Sequence, residues 1–286
     1  MNVQIIADSA SDLPLQYFDD NNVILIPLKV HMDNEEYSDL VTIKPKAVYD
    51  AMRNGKAPKT SQASPQDFYE AFRQLAKDKK QGLYIAFSSE LSGTYQTAIM
   101  MRDEVLAEFP EFELEIIDSK CASLGLGMAV MEVVHHAAKG KSLAELTEIA
   151  KYHCTHMEHL FTVADLEYLA RGGRISKSSA FIGGLLNIKP LLNVEDGKLI
   201  PLEKFRGKKK LMRAVIDTMK KRGDRLDQQI IGISHGDDME EAMEYKALFE
   251  ETFHPKSIYI TSVGATIGAH SGPGTVAIFF LNKLPE

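Results

Sequence analysis

Apolar and polar positions along the 286-residue chain follow two different rhythms. In the first half, short apolar runs alternate with stretches whose apolar residues recur at helical spacing. "VQIIA" (3–7), "VILIPL" (23–28), "LYIAF" (83–87) and "LEII" (114–117) predict buried strands, whereas "PQDFYEAFRQLAKD" (65–78) and "YQTAIMMRDEVLAEF" (95–109) predict helices. Further helices are expected over 123–139 and 142–159. Strands joined through helices imply a parallel sheet with helices on both faces. Beyond about residue 158, strands dominate: "LFTVA" (160–164), "IKPLLNV" (188–194), "LIPLEKF" (199–205), "QIIGISH" (229–235), "SIYITSV" (257–263) and "TVAIFFL" (275–281). Helices are expected among them at 207–222 and 237–252, which gives an α+β pattern with a mixed sheet. The predicted fold class is α/β, with an N-terminal α/β domain at 1–157 and a C-terminal α+β domain at 158–286. No low-complexity linker separates them, so a cleft between packed domains is the expected ligand site.

Small polar clusters follow the strands of the first half: "DSASDLP" (8–14), "SSELSGTYQ" (88–96) and "DSKCASLG" (118–125), while "PKTSQASP" (58–65) precedes a helix. Loops at the carboxyl ends of parallel strands line the ligand crevice, so these clusters should converge. Ser, Thr and Asp are also preferred helix N-caps, which accounts for some of them. It accounts poorly for Ser88, Ser89, Ser92 and Thr94 around one glycine. "GATIGAHSGPG" (264–274) holds four glycines around a single histidine, His270. It predicts a loop whose bare backbone lets the imidazole approach a ligand closely.

Composition narrows the function. A net charge of −7 argues against general nucleic-acid binding. No apolar run approaches a membrane span. The start carries no basic leader, and Cys121 and Cys154 form no CxxC, so a cytoplasmic chain with reduced thiols is expected. "YHCTHMEH" (152–159) gathers His153, His156 and His159 near Cys154. It is not an HExxH motif and is read as a solvated helix face with no metal, as are His135 and His136. "KFRGKKKLMR" (204–213) is a basic island in an acidic chain, read as a docking patch for a partner or an anionic surface. Ser92 with His270, oriented by Asp8 or Asp118, would suit an ester hydrolase. There is no Walker-type loop for ATP.

The clusters "DSASDLP", "KTSQASP", "LSGTYQTA", "IIDSKCASLGLG", "LEYLARGGRIS", "NIKPLL" and "GAHSGPG" occur in the order seen in the DegV family, and the chain resembles it over its full length. That family includes the fatty-acid-binding (FakB-like) subunits of bacterial fatty acid kinase. The resemblance implies a non-catalytic carrier that needs no cofactor. It would hold one long-chain fatty acid between two α/β domains and present the carboxylate to a separate kinase, feeding phospholipid synthesis. It further implies that Thr60, Ser92 and His270 hold the carboxylate, and that Arg174 and Arg206 meet the partner kinase. Gly93 would leave room for backbone N–H contacts. The chemistry agrees: a buried carboxylate needs donors, and apolar stretches such as 181–186 and 276–281 could house a tail. In "ISKSSAFIGGLLNIK" (175–189), Phe181, Ile182 and Leu185 lie between Lys177 and Lys189. Helical spacing weakened by Gly183 and Gly184 suggests a lid that covers the tail and makes transient contact with an anionic membrane. A third alternative is a polyol-binding domain like that of dihydroxyacetone kinase, using His270 covalently.

Overall fold

The structure is a computed structural model and describes residues 3–176 and 188–285. The chain opens with β1 (Val3–Asp8), α1 (Leu15–Asp20) and β2 (Ile24–Ile26). It then leaves for β3 (Lys29–Met32), β4 (Glu35–Ser38), α2 (Pro45–Arg53) and β5 (Lys59–Ser61). α3 (Pro65–Lys77), β6 (Gln81–Ala86), α4 (Thr94–Glu108), β7 (Leu114–Asp118), α5 (Leu124–Ala138) and α6 (Leu143–His156) complete the first half. The first sheet has the order β2-β1-β6-β7 and is parallel throughout. A separate antiparallel sheet, β4-β3-β5, escapes the hydrophobic pattern, because strands of three or four residues carry no readable apolar run.

The second half contains β8 (Met157–Thr162), α7 (Leu166–Arg171), β9 (Ile188–Glu195), β10 (Lys198–Arg206) and α8 (Lys208–Arg222). β11 (Ile230–His235), α9 (Met239–Phe253), β12 (Ser257–Ser262), α10 (Ala265–Ser271) and β13 (Val276–Leu281) follow. They build a mixed sheet of order β10-β9-β8-β13-β11-β12, antiparallel except for β11 with β12.

Both faces of that sheet are covered. On β13, Ala277, Phe279 and Leu281 join the core shared with the first sheet, while Val276, Ile278 and Phe280 join a second core under α8 and α9. This period-two division explains why "VAIFFL" carries no polar alternation. α5 lies between the sheets, touching β1 and β6 on one side and β8, β11 and β13 on the other. A helix buried on both sides is apolar round its circumference, as the first turns of α5 are; Glu132, His135 and His136 fall toward its C-terminal end. Its glycines permit the squeeze: a Cβ on Gly127 would lie 2.5 Å from the Ser11 carbonyl oxygen.

Three expectations are corrected. The helix expected over 142–159 ends at His156, where the chain enters β8 and pairs with β13 from Met157 to Thr162. His153 and His159 are therefore not on a solvated face; they are only 8% and 4% exposed. The segment read as a glycine-rich loop contains α10 instead. Phe181, Ile182 and Leu185 lie outside the described residues.

Candidate functional site

α10 is short, and its order comes from what surrounds it. Asp39 accepts hydrogen bonds from the Ala265 and Thr266 N–H groups at 3.2 and 3.0 Å, and Asp12 accepts from Gly264 N–H at 2.9 Å. Both acids are buried, and burial raises their pKa values above the usual carboxylate range. The glycines act as helix punctuation and packing sites. A Cβ on Gly268 would stand 2.5 Å from the Tyr49 hydroxyl, which donates to the Val263 carbonyl at 2.9 Å. Gly272 ends the helix at φ 79°.

His270 sits in the last turn of α10. Its Nε2 lies 2.6 Å from Thr60 Oγ1, on β5. Burial first, then the nearby Arg174 and Arg171 charges, lower its pKa to about 4, so the ring is neutral near pH 7. Its Nδ1 has no hydrogen-bond partner among the described residues. A neutral imidazole paired with a hydroxyl leaves one donor over: either Nδ1–H is free, or Nε2–H bonds Thr60 and the Thr60 hydroxyl proton is free. Gly172 makes room for the ring, since a Cβ there would fall 2.1 Å from Nδ1.

The β6–α4 loop supplies Ser92, whose hydroxyl pairs with Thr94 Oγ1 at 2.8 Å. Thr94 Oγ1 also accepts from Ala63 N–H at 3.3 Å, tying this loop to the chain just after β5. Thr60, Ser92, His270 and Arg174 all line one cavity between the two main sheets, of about 90 Å³. The rest of its wall is mainly apolar, including Phe87, Leu91, Phe161, Leu199, Ala277 and Phe279. The Arg174 guanidinium, its pKa lowered by burial, donates to the carbonyls of Leu91 and Gly172.

Other residues singled out by the sequence lie elsewhere. Gly93 is the N-cap of α4 and is not in the cavity wall; a Cβ on it would meet Gln62 Oε1 at 2.1 Å. Arg206 is exposed at the end of β10. In the basic island, Lys208 pairs with Glu244 at 2.8 Å. Asp8 accepts from the Tyr84 hydroxyl and the Phe87 and Ala10 N–H groups. Asp118 holds Ser89 and Lys120. Neither acid bonds His270, and Ser92 bonds Thr94 rather than His270, so no Ser-His-Asp relay is assembled. No cluster of three or more metal-ligating side chains occurs among the described residues, and no described helix is long and apolar enough to cross a membrane. The sequence reading missed Asp12, Asp39 and Tyr49 as supports of the site. The signal available for the two acids was their place in polar clusters next to apolar runs.

A parallel α/β unit and a mixed-sheet α+β unit, with a mainly apolar cavity that also carries hydroxyl and imidazole groups, define a two-domain α/β fold. The profile described as "Uncharacterised protein, DegV family" matches residues 2–283, and the chain belongs to that family. A DegV domain-containing protein of Clostridium perfringens is 38% identical, covering 99% of this chain and 98% of that protein. Among solved structures, a DegV family protein from Thermus thermophilus, described for its fatty acid binding, is 30% identical with a TM-score of 0.88, covering 98% of this chain and 99% of that one. A stearic acid-binding protein from Eubacterium ventriosum is 26% identical with a TM-score of 0.87, covering 98% of this chain and 99% of that one. DegV from Bacillus subtilis, a fatty acid binding protein, is 26% identical with a TM-score of 0.84, covering 98% of each chain.

Proposed function

We propose that this protein is a non-catalytic carrier for a long-chain fatty acid. The acid would lie between the two sheets, with its carboxylate at Thr60, Ser92 and His270 and its chain along the apolar wall. The observation that carries this reading is one cavity whose wall brings Thr60, Ser92 and His270 together with a mainly apolar lining. A buried carboxylate is costly without donors, and the spare donor of the Thr60–His270 pair and the Ser92 hydroxyl supply them. Ser92 also stands next to the N-terminus of α4, where the first backbone N–H groups and the helix dipole favour an anion; Gly93, the N-cap and outside the cavity wall itself, would add its backbone N–H there. The apolar wall would contribute about 0.8 kcal/mol per methylene, on the order of 10 kcal/mol for a long chain. The fatty-acid binding described for the Thermus, Eubacterium and Bacillus proteins supports the same assignment.

In this reading the carboxylate end faces a separate ATP-dependent kinase, which converts the bound acid to an acyl phosphate for phospholipid synthesis in the cytoplasm. Arg206, exposed, suits contact with that partner. Arg174, in the cavity wall, suits contact with the head group and its phosphorylated product. We propose the division into 1–157 and 158–286, and the passage of the chain into the second sheet at β8 (Met157–Thr162) supports a boundary close to that point.

The test is extraction. Protein purified from a bacterial host, denatured and extracted with organic solvent, should yield a stoichiometric fatty acid by mass spectrometry. Incubation of the loaded protein with ATP and a fatty acid kinase catalytic subunit should yield acyl phosphate. Solvent blanks together with no uptake of added oleate or palmitate would overturn the carrier reading. Binding without phosphorylation would overturn the kinase partnership alone.

A further inference from the structure

Adjoining the cavity between the sheets is a second one of about 260 Å³. Its wall is different in kind, with Asp118, Lys120, Lys151 and Asp196 among its residues. Two side chains, His159 and Val194, line both cavities. They stand between an apolar chamber and a charged one.

The His159 ring is fixed in that wall. Its Nδ1 lies 3.2 Å from the Met157 carbonyl oxygen and its Nε2 lies 3.4 Å from the Ala122 nitrogen. The first contact needs Nδ1–H as donor and the second needs Nε2 as acceptor, so the ring is the neutral Nδ1–H tautomer. Burial, which lowers its pKa to about 4, favours the same form. The ring meets Phe279 edge-on, with centroids 5.4 Å apart. On α5, Gly125 leaves it space, since a Cβ there would come within 2.3 Å of Nε2. A histidine serving only the core would have packed atoms on all sides. This one is clamped by hydrogen bonds and packing, with a cavity on either side.

We propose that His159 and Val194 are the stop that limits the length of the bound chain, and that behind them lies a second opening. The inference rests on the fatty-acid reading of the first cavity. A hydrocarbon tail that reached the ring would gain nothing from the charged space beyond it, because its burial against apolar atoms would end there. While the stop stands, methylenes beyond the limiting length have no apolar site. With it removed, the two chambers join and a longer chain passes through.

Delipidated full-length wild type, Val194→Ala, His159→Ala and Val194→Phe would each be offered an equimolar mixture of straight-chain saturated acids of graded length. Bound acids would be extracted and quantified by mass spectrometry, with circular dichroism reporting the fold. Wild type should retain acids up to a limiting length. The alanine variants should move that limit to longer chains by the one or two methylenes that fit the space the side chain vacates, with relative retention rising up to about fourfold for each. Val194→Phe should move it to shorter ones. Folded Val194→Ala and Val194→Phe proteins with the wild-type length profile overturn the stop, whether or not His159→Ala folds. A wild type that takes up no acid overturns the carrier reading, and the stop with it. Binding by wild type with an unchanged profile in the variants overturns the stop alone.

Discussion

His270→Ala is the substitution that most directly probes the polar groups of the cavity. The ring is joined to Thr60 across 2.6 Å, and its pKa of about 4 makes it neutral at pH 7.5 in the free protein. Removing it therefore deletes hydrogen-bonding capacity rather than a fixed positive charge. A hydrogen bond to a charged group contributes roughly 1.5–3 kcal/mol, so affinity for a long-chain fatty acid should fall between about tenfold and somewhat over a hundredfold. The tail contacts remain, so binding should weaken without being abolished. The assay is titration of delipidated protein with a labelled acid at pH 7.5, with thermal unfolding run alongside. His270→Gln keeps an amide N–H on a side chain of similar reach and should recover much of the loss. Ser92→Ala should lose affinity by a similar factor. A folded His270→Ala protein that binds like wild type would refute the placement of the carboxylate at this pair.

Two further predictions follow from the same neighbourhood and from the first sheet. Gly172 has φ −73°, which alanine adopts freely, yet a Cβ there would lie 2.1 Å from His270 Nδ1. Gly172→Ala should thus leave the fold intact, displace the imidazole and reduce affinity about tenfold; an unchanged His270 ring signal by NMR with wild-type affinity would refute the contact. Asp8, buried, has its pKa raised from the ordinary 3.8 to about 6, chiefly by desolvation. A carboxyl whose folded pKa exceeds its unfolded one opposes folding once ionised: the penalty is absent below pH 3.8, grows as pH rises, and reaches about 3 kcal/mol above pH 6. His159 and His270, with lowered values, act in the opposite direction between about pH 4 and 6.5, so the readout is the difference between proteins. Relative to Asp8→Asn, wild type should lose stability to urea as pH rises from 4 to 6.5, and parallel stability curves would refute this.

The parallel sheet was legible because its strands are continuous apolar runs and its helices keep their spacing. The β13 strand was legible for the same reason, and its lack of alternation is explained by its two buried faces. Boundaries failed where one pattern runs into another. In "YHCTHMEHLF", helical spacing continues across His156 into β8, and only pairing with β13 marks the change. The three-residue strand carrying Thr60 was invisible, since Lys59–Ser61 is polar and gains its conformation from β3. The motifs nonetheless pointed to Thr60, Ser92 and His270 as one group, and all three line the same cavity. The roles of Arg174 and Gly93 were harder to place. Arg174 reads as a surface charge until its hydrogen bonds to Leu91 and Gly172 turn it into the wall, and Gly93 reads as open backbone until Gln62 fills the space above it.

The segment around His270 shows why a motif can name a site and still mislead about its form. Seven residues containing a glycine make a poor helix in isolation, because nucleation is costly and glycine adds about 1 kcal/mol over alanine. Local propensity therefore predicts a loop. What reverses it is long-range: Asp12 from the loop after β1 and Asp39 from the loop after β4 accept the first N–H groups of the segment. Tyr49 of α2 packs over Gly268, and Gly172 admits the imidazole. Burying two carboxylates opposes folding, but each accepts backbone N–H bonds that α10 would otherwise leave unpaired. The position of His270 is therefore fixed by the first half of the chain as much as by the helix that bears it. The Thr60–His270 pair can exist only when both halves are packed together, which places these polar groups of the cavity at the seam between them.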